Sequence, residues 1–426
     1  MKHNYPQDLL RYLRQHWPHG EALPPEETLL ELFSTCYQAS LLREEGRASR
    51  LRLMLAEPET FERSRDALSA GLFTLSFSES RPFNEYEMLK LGPSIDYNNT
   101  MLGIRYCQDE GLRIWGLVHT GSRWVQAFQG GSKPAMPLPP ALGVHIVASG
   151  GLSVSRGLDI IGLLIGGRII TPSLSVFRSR WMAARFAAVQ TRLAGLHAEE
   201  AQTQAWAKID PAFVGKLYLE VIKHVISTIR KRGHGGAILS FPVEASPLLH
   251  GDNPFISLKY RFAASDARFR LRALFLEIMR VLVTVCGRRY GPEYIAGWND
   301  YVSLQDKRLS QLDDQVFKYA RFVARLSGAD GAIVITEAPE LIGFGGIIQG
   351  SYEMGEHIAH AFDPEGEKRL IERVESVGTR HRSLYYLARK MPSVLGIVVS
   401  QDGRARVVTW GGDTVLCWDV LSIDFT

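Results

Sequence analysis

The sequence predicts an α/β (α+β) protein in two parts. A C-terminal domain with a central mixed β-sheet flanked by helices follows an N-terminal mixed α/β domain. Three observations carry this expectation. The chain has 426 residues, more than one hydrophobic core ordinarily serves. Between about residues 70 and 175, short β-rich runs alternate with glycine and proline clusters, as in a small mixed or antiparallel sheet. Beyond about residue 210, helical stripes alternate with short apolar runs, as α/β units do. The expected division is 1–205 and 206–426, with a motif core at 310–426.

Taken in order, residues 1–60 read as helical, with Pro24, Pro25, Glu26 and Glu27 at the entry of an apolar stretch. The β-rich runs are "GLFTLSF", "GLRIWGLVHT", "GVHIVAS" and "GRIITPSLSVF". From Trp181 to about Trp206 an Ala-, Gln- and Arg-rich helical connector is expected. Leu217, Val221, Val225 and Ile229 then define a helix face. That helix ends in "RKRGHGG", where cations suit the C-terminus and glycine the cap, and the strand "AILSF" follows. Leu271, Leu274, Ile278, Val281, Leu282 and Val285 mark a second helix. Leu312, Val316, Tyr319, Val323 and Leu326 mark a third, stopped by Gly328. Strands at 332–336 and 341–348, a helix after Thr379, and strands at 395–400 and 405–410 complete the chain. "GHGGAIL" and "GADGAIV" echo one another as a helix cap feeding a strand.

Composition narrows the function classes. Net charge is +4, from 49 Lys+Arg against 45 Asp+Glu, too mild to predict nucleic-acid binding. Cys36, Cys107, Cys286 and Cys417 are far apart and form no C-x-x-C pair, so a disulfide framework or zinc knuckle is not expected. "LDIIGLLIGGRII" (158–170) is broken by Asp159, three glycines and Arg168. It is shorter than the roughly 20 residues of a membrane span, and the N-terminus lacks an apolar signal region. A soluble, cytoplasmic protein without a membrane span is expected.

"VGTRHRS" (377–383) is the most unusual local feature. Thr379 reads as a helix N-cap, and Gly378 permits close backbone approach. The first turn of a helix carries free N–H groups and the positive dipole end, yet Arg380, His381 and Arg382 stand there. Such a cluster calls for an anion, with phosphate the natural one, or for salt bridges to Glu372 or Glu375, or is simply exposed. In "GADGAIVIT", Asp330 precedes Gly331 and Ala332 at a strand mouth. A carboxylate there suits a divalent cation, a hydroxyl proton, or simply a turn. In "VVSQDGRARVV", Ser400 to Gly403 read as a hairpin turn.

Asp330-Gly331-Ala332 followed about 50 residues later by Arg380-His381-Arg382 resembles the diadenylate cyclase family, which carries both motifs in this order. The resemblance covers roughly 208–426, and residues 1–205 look like the sensor-type domains of divergent members. It implies condensation of two ATP into cyclic di-AMP, with each 3′-hydroxyl attacking the other nucleotide's α-phosphorus. It further implies Asp330 as ligand of Mg²⁺ or Mn²⁺ and activator of the hydroxyl, and Arg380, Arg382 and Thr379 as phosphate clamp. His381 joins the catalytic set, and Gly331, Ala332, Gly378, Ser383 and Ser400 the nucleotide site. Two facing sites imply a homodimer or larger even assembly. The segment between the first strand and Asp330 is longer than usual in the family. Ser400-Gln401-Asp402 stands where the family has Ser-Glu-Glu, leaving Asp402 as the available second metal ligand. A catalytically inactive binder of ATP or cyclic dinucleotide is the alternative. The signal sensed by residues 1–205 has no sequence signature.

"EHIAH" (356–360) is read as a polar surface segment and "LLHGDNP" (248–254) as a loop. No Walker lysine follows a glycine run, and "GFGGIIQG" is not a dinucleotide fingerprint.

Overall fold

The computed structural model describes residues 3–420 except 45, 49, 63–71, 121–137, 187–190, 192, 194, 196–205, 250–252, 305, 351–355 and 375–376. The architecture is mixed α/β, built on two large sheets.

In the N-terminal half, α1 (Pro6–His16) buries Leu9, Leu10 and Leu13, and α2 (Glu26–Leu41) buries Leu29, Leu32, Phe33 and Cys36. Both stripes share a core with one face of an eight-stranded sheet. Its strands are β1 (Leu51–Leu55), β2 (Phe73–Pro82), β3 (Thr100–Cys107), β4 (Gly111–His119), β5 (Leu142–Ala148), β6 (Gly151–Arg156), β7 (Asp159–Ile165) and β8 (Arg168–Ile170). Their order is β8-β7-β6-β5-β1-β3-β4-β2. Among the described residues of this sheet, only β1 and β3 pair in parallel. The expected sheet is therefore present and mixed, and it gains a strand from the region read as helical. "LRLML" is β1, in the middle of the sheet between β5 and β3. Five residues are too few to show a helical stripe, and burial on both faces removes the alternation that marks a strand. The apolar 158–170 run is the β7–β8 hairpin, turned at Gly166 and Gly167 with φ of 56° and 69°. No helix of the described residues is long and apolar enough to cross a membrane.

In the second half, α3 (Phe213–Arg232), α4 (Arg270–Tyr290) and α5 (Lys307–Arg325) follow the predicted stripes. The strands are β9 (Gly236–Phe241), β10 (Ile256–Arg261), β11 (Ala332–Thr336), β12 (Leu341–Ile348), β13 (His357–Ala361), β14 (Arg369–Arg373), β15 (Leu395–Val399), β16 (Ala405–Trp410) and β17 (Val415–Asp419). They form one sheet in the order β10-β12-β11-β9-β15-β16-β17-β13-β14. Alternation along the central strands serves two cores. Ile238, Ile333, Ile397 and Val407 face α3, α4 and α5. Leu239, Val334, Val398 and Val408 face α6 (Thr379–Lys390).

One reading needs correction here. "EHIAH" contains strand β13, with His360 buried rather than at the surface. A strand turns successive side chains to opposite faces, and in this one Ile358, Ala359, His360 and Ala361 are all buried. The connector is helical at 180–186, and Val176, Phe177, Met182, Phe186 and Leu193 pack into the second core, on the near side of the expected 205/206 division. Trp181 Nε1 donates to the Pro364 carbonyl at 2.9 Å, and Arg185 pairs with Glu337 at 2.7 Å. Much of the connector's remainder lies outside the described residues, as does part of "LLHGDNP".

Candidate nucleotide site

Strand register decides which residues meet. β9 and β11 are parallel, with Ala237 opposite Ala332, and β15 is antiparallel, with Val399 opposite Gly236. The entries to β9 and β11 and the exit from β15 therefore share one end of the sheet. His234 and Gly235 precede β9, Asp330 and Gly331 precede β11, and Ser400, Gln401 and Asp402 follow β15. The two echoing segments thus lie side by side, each fed by its helix. The opening turn of α6 reaches the same end.

Gly331 is required by its backbone, because φ is +112° and a Cβ would stand 2.5 Å from the Gly345 carbonyl carbon. Only glycine tolerates that combination. Gly235 is similarly confined, with φ +66° and a Cβ position 2.6 Å from the Val399 carbonyl oxygen. The hairpin at 400–403 forms as expected: Ser400 N–H donates to the Arg404 carbonyl at 2.7 Å, and Gly403 has φ +83°.

At α6 the structure differs from the sequence reading. Gly378 is the N-cap, without side-chain capping, and Thr379 is the first helical residue. An extended Gly378 lets the helix begin directly, leaving first-turn N–H groups without a capping side chain. Of the two expected glutamates, Glu372 lies 3.2 Å from His360 Nδ1, and Glu375 lies outside the described residues. Arg380 donates to the His234 carbonyl at 3.2 Å, and its Nη2 lies 3.8 Å from Asp330 Oδ1. Asp330 is fully exposed, so solvent screens this pair and it contributes little to stability.

Two cavities meet at Arg380 and Gln401. The larger, about 640 Å³, is lined by Gly378, Thr379, His381 and Ser400, by Arg404 and Arg406 from the hairpin and β16, and by one carboxylate, Asp402. The smaller, about 290 Å³, adds Arg232, His234 and Asp330. Both are within or near the range of small-ligand sites. Arg382 and Ser383 line neither. Residues two apart on a helix face different directions, so Arg380 and Arg382 do not form one clamp. Arg382 is half-buried, with its Nε enclosed and without a hydrogen-bond partner. Ala332 is buried in the β11 ladder.

Arg404 and Arg406 supply the cations that Arg382 does not. The sequence holds a signal for them: in "DGRARVV" the two-residue period after an Asp-Gly turn puts both arginines on one strand face. Arg406 is held at the back. Its Nε donates to Asp419 at 2.9 Å and its Nη1 to the Tyr385 hydroxyl at 3.2 Å. His360 Nε2 lies 3.1 Å from the other Asp419 oxygen. Burial alone would raise the Asp419 carboxyl, but the His360 hydrogen bond and the charges of His360 and Arg406 hold its pKa at about 2. Asp402 is also engaged, accepting from Arg404 N–H at 3.1 Å and Nε at 2.7 Å.

No described group of three or more His, Cys, Asp or Glu could enclose a metal ion. Asp330 alone fits an ion arriving with a polyphosphate, since Mg²⁺ commonly takes one or two carboxylates and completes its shell with phosphate and water. Asp402 lines a different cavity and is bound to Arg404, so the structure does not gather the two expected metal carboxylates.

The comparisons with known proteins bear on the first half. Residues 19–119 match the family model described as probable sensor domain DACNV, the N-terminal domain of diadenylate cyclases. That match includes α2 and β1 to β4 and does not reach Asp330 or the basic trio. No curated protein and no solved structure matches the chain. All four cysteines are free.

Proposed function

We propose that the chain is a diadenylate cyclase that joins two ATP into cyclic di-AMP with release of two pyrophosphates, governed by its sensor region. The observation that carries this reading is the meeting of Asp330 and Arg380, 3.8 Å apart, where two cation-lined cavities join. The sensor match in the same chain supports it.

In each half-reaction a 3′-oxygen bonds to the α-phosphorus of the other nucleotide. The bond from that phosphorus to the bridging oxygen breaks, pyrophosphate leaves, and the hydroxyl proton passes to Asp330 or water. Arg380, Arg404 and Arg406, with the first-turn N–H groups of α6, are placed to hold the phosphates and offset developing charge. Asp330 would hold Mg²⁺ or Mn²⁺, which supplies charge neutralisation at the phosphates. Gly331 keeps side-chain bulk away from the nucleotide at the strand mouth. Asp330 is fully exposed, which suits a second copy presenting its nucleotide across a two-fold axis.

A second reading, a binder without turnover, is favoured by Gln401 and by the engagement of Asp402 with Arg404. One experiment separates them: incubate the purified full chain with ATP and Mn²⁺ or Mg²⁺ and resolve the nucleotides. Cyclic di-AMP is expected, with Asp330→Asn slowing its formation about 100-fold or more at unchanged thermal midpoint. Binding of ATP or of added cyclic di-AMP without product formation selects the binder, and absence of product and of both kinds of binding overturns the two readings together.

A further inference from the structure

The second unit contains another cavity, of about 590 Å³, at the opposite end of β11 from Asp330. Its walls come from the start of β12, the residues after β10 and the middle of α5. Phe262, Tyr319, Phe322 and Leu341 give it an apolar and aromatic lining. Phe322 is 49% exposed, a large apolar side chain left facing the opening. The Tyr319 and Phe322 rings lie 6.2 Å apart.

The charge of this cavity is one-sided. Arg268, Arg270 and Lys318 line it, and no carboxylate does. Arg268 is buried and already paired with Glu340. Arg270 and Lys318 are exposed, and no carboxylate partner for either occurs among the described residues. Ligand sites of this size combine apolar walls with a few placed polar groups. Here every available charge is positive.

We propose that this cavity binds a small aromatic anion. Its flat body would lie against Phe262, Tyr319, Phe322 and Leu341, and its carboxylate, sulfonate or phosphate would meet Arg270 and Lys318. A neutral apolar molecule leaves the two cations unanswered, and a bare polyanion leaves the aromatic walls wet. This site is independent of the nucleotide reading and shares no residue with the Arg380 cavities.

The test titrates the full chain with the fluorescent anion anilinonaphthalene sulfonate and, separately, with neutral phenylnaphthylamine. One saturable anion site per chain is expected. The double variant Arg270→Ala, Lys318→Ala should weaken the anion at least about tenfold, since charge-assisted contacts are lost, and leave the neutral compound unchanged. Phe322→Ala should weaken both, and matching circular dichroism and thermal midpoints keep the comparison valid. Displacement by AMP that disappears in the double variant supports the proposal with a nucleoside monophosphate as occupant. Displacement by naphthoate but not AMP supports it with a simple aryl acid. Dye affinity unchanged in both variants, or dye displaced equally by ATP from wild type and double variant, overturns it.

Discussion

Between its two arginines, His381 is half-buried and close to Arg406, and burial followed by that charge lowers its pKa to about 4. The imidazole is therefore neutral at pH 7, and the trio presents two cations rather than three. An unfolded histidine titrates near 6.5. His381 thus costs stability as pH falls from about 6.5 toward 4, where only the unfolded chain takes up its proton. Imidazole resonances of His381 recorded between pH 5 and 7 should report the neutral ring. His360 behaves oppositely, because its hydrogen bond to Asp419, against the cost of burial, raises its pKa. Its contribution is full below the unfolded value of about 6.5 and is lost as pH rises through the folded value. Urea unfolding of His360→Gln should show a deficit on the order of 1 kcal/mol at pH 6 that shrinks by pH 9.

At the scale of elements, α6 is placed by one contact more than by its sequence. A Cβ at Gly396 of β15 would stand 2.1 Å from Leu384 Cδ1, so the helix lies against bare backbone. Gly396→Ala should lift α6, cost about 1–3 kcal/mol by overpacking, and weaken ATP binding without touching a cavity residue. Calorimetric titration alongside denaturant melts checks both parts. The same scale explains what the sequence disclosed. The stripes of α3, α4 and α5 and the Asp402-Gly403 turn are local patterns, and they read correctly. Strand β1 was hidden because five residues buried on both faces carry no period. The place of Arg404 and Arg406 beside His381 depends on β15 and β16 lying against the rest of the sheet, which the local two-residue period does not convey. The Thr379 hydroxyl suits the cap position, whereas Gly378 occupies it without one.

For the whole molecule, the proposed reaction requires two copies. Product formation per chain should rise with protein concentration until dimers saturate, and sedimentation run in parallel should follow the same curve. A stable monomer with full activity would contradict the facing-site arrangement. The register of β9 has a different consequence. Gly236 must find Val399, and Ala237 must find Ala332, so the site rests on two of the longer chain closures in the fold. Such closures are slow to form. Helical signal should therefore return early in refolding, and ATP binding should return only with the last kinetic phase, making the ligand a clock for completion of the central sheet.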